Sequence, residues 1–218
     1  MKERPIIFSG EMVKAILDGR KTQTRRAVKT GILAHSGLRY QGLFEDFSGV
    51  AFLGEKSGTE YDFKNPYGQI GDRLWVKEKH CLPKQGGSAI GQDGYDNDVL
   101  YAADEGLQRF PLSGNWTQHN RNFKWRPSIH MPRWASRIDL EITGVRVERV
   151  QEITGADAKA EGGSWDMDSA GLNCIDADRN LARIYFVELW DSINAKRGFG
   201  WEANPWVWVI GFKIVGRG

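Results

Sequence analysis

The sequence is poor in the residues that build covalent or metal frameworks. Its 218 residues hold two cysteines and four histidines, and Cys81 and Cys174 stand far apart with no CxxC spacing. That argues against a disulfide-stapled scaffold and a structural zinc site, and both cysteines read as reduced thiols. His80 beside Cys81 is the nearest approach to a ligand pair, and adjacent residues seldom chelate one ion together, so no metal and no cofactor is expected. Long apolar runs are missing too. No stretch approaches the roughly 18 consecutive apolar residues a membrane span needs, and MKERPIIFSGEM is too short in its apolar part for a secretory signal. The expectation is a cytoplasmic chain with no membrane partner. No linker rich in Ser, Pro or Gly divides the chain, so a single elaborated domain over 1–218 is expected. A net charge of only +2 argues against a general polyanion binder.

What the sequence does have is apolar surface and unevenly placed charge. Hydrophobic residues make up 40%, with nine tryptophans, enough for a sizeable core. GRKTQTRR at 19–26 packs Arg20, Lys21, Arg25 and Arg26 around Thr22 and Thr24 with no acid among them. A second acid-free stretch interleaves Arg121, Lys124, Arg126, Arg133 and Arg137 with Phe123, Trp125 and Trp134, whereas 157–178 is rich in Asp. Two basic segments on a nearly neutral chain point to a local anionic partner.

The periodicities give a mixed order of elements. EMVKAILDGR carries Met12, Val13, Ile16 and Leu17 as a helical stripe, with Ser9 as cap and Gly19 as the left-handed terminator. TQTRRAV reads as a strand or strand-like turn. Residues 30–66 look like hairpins or long loops around GVAFLG, and Gly71-Asp72 opens a tight turn into a strand centred on Leu74, Trp75 and Val76. Residues 82–122 read as a polar insertion with one short strand at VLYAA. SRIDLEITGVRVERV alternates through Ile138, Leu140 and Ile142, takes a bulge at Gly144, and resumes at Val145 and Val147. A short helix follows, capped by Thr154. A longer helix over 179–194 is expected to face inward through Leu181, Ile184, Tyr185, Leu189 and Ile193. NPWVWVIGFKIV is apolar on both faces, as a central strand would be. The sum is an α+β domain on a curved or closed sheet, with Trp75, Trp206 and Trp208 in its core. His130 is expected to be a packed, hydrogen-bonded residue.

The helix leading into GRKTQTRR, the turn-strand GDRLWVKE, the strand LEITGVRVERV, the helix start ITGADAKAEG and the closing WVWVIGF together resemble the ASCH domain of the PUA-like superfamily, in the flavour of larger phage and prophage members. The resemblance implies a small β-barrel with flanking helices and long loop insertions, at about 30–65 and 79–125. It also implies a cleft that faces a nucleoside, RNA or DNA. Some small members are amidohydrolases that remove the acetyl group from N4-acetylcytidine, using a Lys, a Thr and a Glu. The matching positions here are Lys21, Thr24 and Glu161.

Amide hydrolysis needs a nucleophile, a base and an oxyanion stabiliser. Under the resemblance Thr24 supplies the hydroxyl, Lys21 the base, and Glu161 positions the lysine or shuttles a proton, with Arg20, Arg25 and Arg26 holding negative charge. In a regular strand Lys21 and Thr24 point to opposite faces, so their convergence needs irregular backbone. The competing reading of GRKTQTRR is a solvated basic edge strand, with Arg26 as an anion clamp or as the ion-pair partner of Glu78 or Asp72. For WRPSIHMPRW the alternatives are a base-stacking and phosphate-contacting surface made by Trp125, Arg126, Arg133 and Trp134, or a cover over the barrel end. A non-catalytic reader of nucleic acid is the rival to the enzyme.

Overall fold

A computed structural model describes residues 1–29, 37–81, 99–104, 125–163 and 175–217. In chain order its elements are β1 (Glu3–Ile7), α1 (Gly10–Leu17), β2 (Gln23–Ala27), β3 (Leu38–Leu43), β4 (Gly49–Gly54), β5 (Glu60–Lys64), β6 (Arg73–Lys77), β7 (His80–Cys81), β8 (Leu100–Tyr101), β9 (Ile138–Arg149), α2 (Gly155–Ala160), α3 (Ile175–Asn194) and β10 (Trp206–Arg217), with short 3-10 turns between some of them. The architecture is α+β. Among the described residues no helix is long and apolar enough to cross a membrane.

The main sheet has the order β1-β6-β9-β10-β2, with β1 and β6 parallel and the other neighbours antiparallel. β10 is central, and Val207, Trp208, Val209 and Ile210 are buried on both of its faces, as its unbroken apolar run requires. The bulge falls where Gly144 breaks the alternation of β9: the register with β10 shifts between Gly211 and Phe212. The two edge strands are brought together by this curvature, and the Arg26 guanidinium of β2 donates to the Ile7 carbonyl at the end of β1, 2.7 Å away. The sheet therefore curls into a barrel-like layer whose seam is bridged by a side chain.

One core fills the inside of that curl. Ile6 and Phe8, Val13 and Ile16 of α1, Leu74, Val76, Ile138, Leu140, Ile142, Trp208 and Ile210 meet there. Leu38, Val50 and Phe52 join them from a second, antiparallel sheet in the order β3-β4-β5, so residues 37–64 are hairpins that share the main core. A second cluster packs α2 and α3 against the outside, through Val150, Ile153, Ala158, Ala182, Phe186, Trp190, Val207 and Val209. Ser9 caps α1, its hydroxyl accepting from the Met12 N–H at 3.4 Å, and Gly19 beyond its end has φ +74°. Thr154 caps α2 in a reciprocal pair with Asp157.

Several sequence expectations need correction. The long helix begins at Ile175, and the Asp-rich stretch ahead of it lies mostly outside the described residues, as do 30–36 and most of the insertion at 82–124. Its inner face is Ala182, Phe186 and Trp190, whereas Ile184 and Tyr185 are exposed. Two apolar stripes compete on this helix, and the aromatic one wins because Phe186 and Trp190 stack on each other at 5.9 Å and the Trp190 indole N–H donates to the Phe199 carbonyl. Trp208 is core and Trp206 packs on it, but Trp75 is half-buried on the outer face of β6. His130 is exposed, with its ring outside the core.

The corrected helix face sets a stability contrast. Phe186→Ala removes a buried ring from the second cluster and is expected to cost about 3–5 kcal/mol, whereas Ile184→Ala on the exposed stripe stays within about 0.5 kcal/mol. Urea unfolding midpoints of the two variants against the parent check this.

Candidate functional site at the junction of α2 and β2

The junction is built first by main chain. Beyond Gly19 the N–H groups of Arg20 and Lys21 both donate to the Ala15 carbonyl at 2.9 Å, and the Thr22 N–H donates to the Ala160 carbonyl at 2.9 Å. Lys21 and Glu161 form an isolated antiparallel bridge, which ties the end of α2 to the start of β2. Gly162 follows with φ +85°, and a Cβ there would stand 2.7 Å from Lys21 Cβ and 2.8 Å from Ala15 Cβ. Only glycine fits both that backbone and that gap.

Side chains then lock the joint. Lys21 is 2% exposed, and its ammonium donates to the Glu161 main-chain carbonyl at 2.7 Å and to Glu161 Oε2 at 2.9 Å. Its Nζ also lies 5.7 Å from the centre of the Phe8 ring. Glu161, 7% exposed, accepts from Arg25 Nη1 on its other oxygen at 3.1 Å. Arg25 also grips Glu148 Oε1 through Nε at 3.1 Å and Nη2 at 2.5 Å, and Nη2 lies 3.3 Å from Asp157 Oδ2. Gln23 donates to the carbonyl and the Oδ1 of Asp157, and Arg146 donates to Glu148 and Asp157. Among the described residues this network sets three cations, Lys21, Arg25 and Arg146, against the carboxylates of Glu148, Asp157 and Glu161.

The environment moves three of these groups: burial disfavours the charged Arg146 guanidinium, but the hydrogen bonds and charges of Glu148 and Asp157 outweigh it and hold it above the usual arginine range. Burial holds the Lys21 ammonium below the usual lysine range, and Glu161 opposes the shift. Burial alone would raise the Asp157 carboxyl, but hydrogen bonds from Gln23 and Thr154 and the charges of Arg25 and Arg146 outweigh it, and the group is lowered to about 2.

Lys21 and Glu161 are thus brought together from positions 140 apart in sequence. Thr24 is buried opposite Ile210 of β10, on the other face of β2 from Gln23 and Arg25, and among the described residues no hydrogen bond joins its hydroxyl to Lys21 or Glu161. Arg26 lies on the Thr24 face, opposite Trp208, with its guanidinium carbon 5.3 Å from the Phe8 ring centre. Neither acid considered for Arg26 pairs with it: Glu78 is held by both ends of the Arg137 fork and Asp72 by Arg4. Arg20 donates to the Gly162 carbonyl at 3.0 Å and to Asp18 at 2.9 Å. It borders a cleft of about 190 Å³ lined by Ser9, Lys14, Glu161, Gly163 and Tyr185 among others. The second half of GRKTQTRR lies in the edge strand β2, yet Lys21, Gln23, Thr24 and Arg25 are buried, which overturns the solvated-edge reading.

The second predicted group lies elsewhere. Trp125 sits under the Lys79 ammonium at 5.8 Å, Arg126 is exposed, and Trp134 is 67% exposed. Arg133 is occupied by Glu3 and Asp139. Sequence reading missed Gln23, Glu148, Asp157 and Arg146. The period-2 spacing of Lys21, Gln23 and Arg25 was the signal that one face of β2 is polar and must meet acids.

No family model matches the chain, and no curated protein matches it either. Among solved structures it is similar to an ASCH domain from Lactobacillus crispatus JV V101, at 11% identity and a TM-score of 0.37, over 99% of this chain and 81% of that one.

Two outcomes follow from the junction. Gly162→Ala places a Cβ against Lys21 and Ala15 in a left-handed conformation and is expected to lower stability by about 1–3 kcal/mol in urea unfolding. Asp157 has a folded pKa of about 2, below its unfolded value, so its contribution is present above about pH 4 and lost as pH falls through 2. Between pH 5 and pH 2.5 the parent should lose about 1 kcal/mol more than Asp157→Asn, after screening at a partly exposed site.

Proposed function

We propose that the chain is an ASCH-type, PUA-like domain whose α2–β2 junction recognises a nucleoside or nucleotide, and that it hydrolyses the amide of N4-acetylcytidine or a related acylated cytosine. The observation that carries this reading is the buried Lys21–Glu161 pair, 2.9 Å between ammonium and carboxylate, with burial weakening the hold of Lys21 on its proton.

In this reading Thr24 Oγ attacks the acyl carbon and its proton passes to the Lys21 amine. Collapse of the tetrahedral intermediate breaks the C–N bond, the cytosine amine leaves with that proton, and water releases the acyl group from Thr24. Lys21 acts as a base only while its own proton rests on Glu161 Oε2, which the 2.9 Å contact permits. Arg25 on the other Glu161 oxygen opposes that transfer, and burial of the ammonium favours it. Arg26 and Arg20 supply positive charge for an oxyanion or phosphate.

The rival reading is a reader without chemistry. One observation favours it: the Thr24 hydroxyl makes no hydrogen bond to Lys21 or Glu161 among the described residues, so the catalytic contact would have to form on binding.

Incubation with N4-acetylcytidine followed by chromatography separates the two. The amidohydrolase reading expects cytidine and acetate, a loss of at least about a hundredfold in kcat/KM for Thr24→Ala and Lys21→Met, and a Thr24→Ala variant that still folds and binds. Binding without product in the parent would assign the reader.

A further inference from the structure

The outer side of β6 and the segment 125–134 that runs beside it carry a feature the junction does not use. Trp75 and Lys77 project from β6 on the side away from Leu74 and Val76, and Lys79 is exposed beyond them. The Trp75 ring lies between two cations, Lys77 Nζ at 5.3 Å and Arg133 Cζ at 5.9 Å from its centre. Trp125 lies under Lys79. The two segments are fastened by His80–Arg126 main-chain bonds at 2.8 and 3.3 Å and by the Lys77 ammonium on the Ile129 carbonyl. Ile129 is 61% exposed and Trp134 67%, and Arg126 and His130 are also exposed.

Charge along this strip is one-sided. Glu78 points inward, buried and paired to Arg137. Glu3 and Asp139 neutralise Arg133 at one end, but among the described residues no carboxylate pairs with Lys77, Lys79 or Arg126. An apolar protein partner would not require Lys77 beside Trp75 and Lys79 beside Trp125. Duplex would offer phosphates but no open base faces. The exposed Trp134 ring, with Lys79 and Arg126 exposed on the same strip, matches a chain that presents base faces and phosphates together.

We infer that the strip formed by Trp75, Lys77, Lys79, Trp125, Arg126 and Trp134 is a binding track for single-stranded nucleic acid, distinct from the α2–β2 junction. Trp134 is the open stacking platform. Lys79 and Arg126 take phosphates, and Trp75 carries Lys77 and Arg133 over its ring. The inference concerns binding and does not rest on Lys21 chemistry.

Fluorescence anisotropy with a labelled single-stranded 12-mer of mixed sequence, as RNA and as DNA, and with the matching duplex tests it. Expected are tighter binding of a single strand than of duplex and a loss of at least about fivefold in affinity for Trp134→Ala. The double variant Lys79→Ala/Arg126→Ala should lower the slope of log affinity against log salt by about 1.4. Ile184→Ala, on the exposed face of α3, should bind the 12-mer as the parent does. Equal binding of duplex, affinity unchanged in Trp134→Ala and in the double variant, or an equal loss in Ile184→Ala would each overturn the track. So would absence of binding to both strands at 50 mM salt, leaving the strip to a protein partner.

Discussion

A buried ammonium is the constraint from which the rest of the junction follows. Taking an isolated charge out of water costs several kcal/mol, and removing one partner of a buried pair leaves the other uncompensated. Lys21 is tolerated because Glu161 supplies both a carbonyl and a carboxylate oxygen within 2.9 Å. Glu161 in turn must be held where Lys21 can reach it, and the main-chain bridge, the end of α2 and the left-handed Gly162 do that holding. Arg25, Glu148, Asp157 and Arg146 then extend the pairing outward until charge is balanced. Each member has a reason to be there that begins with Lys21.

That balance shapes what the site can do. A network with equal numbers of cations and carboxylates sets each charge against an opposite one. Burial disfavours the Lys21 ammonium, and its contact with Glu161 opposes that. A ligand that placed negative charge near Arg26 or expelled remaining water would change the two effects unequally. In the proposed amidohydrolase reading, the proton on the Lys21–Glu161 pair is the variable through which ligand binding would reach the chemistry.

The fold was legible in the sequence where one physical signal dominated. Ser9 and Gly19 bracket α1, Ile138, Leu140 and Ile142 face inward, Gly144 bulges, and β10 is central, because capping, alternation and an unbroken apolar run each admit one solution. Legibility failed where two solutions competed. On α3 the stripe of Ile184 and Tyr185 has the same period as that of Phe186 and Trp190, and only the position of Trp201 and Phe199 decides between them. Trp75 reads as core by composition, yet its strand has two faces and Leu74 and Val76 take the inner one. The Lys21–Glu161 pairing came from family resemblance, since no local rule joins residues 140 apart. The acids that neutralise Arg25 were hidden for the same reason.

The placement of the two candidate surfaces bears on what kind of ligand they would share. Phe8 links them: its N–H donates to the Lys77 carbonyl at 3.2 Å, and its ring faces Lys21 and Arg26. Ile7, paired with Lys77 across the β1–β6 ladder, receives the Arg26 hydrogen bond on its carbonyl. The outer strip therefore ends one strand away from the cations of the junction, around the seam where the curled sheet meets itself. A free nucleoside would have no use for the strip, because it carries neither neighbouring bases nor bridging phosphates. A single strand long enough to lie on Trp134 and Lys79 would carry its next nucleotides toward that seam, so engagement of both surfaces would select polymer over monomer by effective concentration alone.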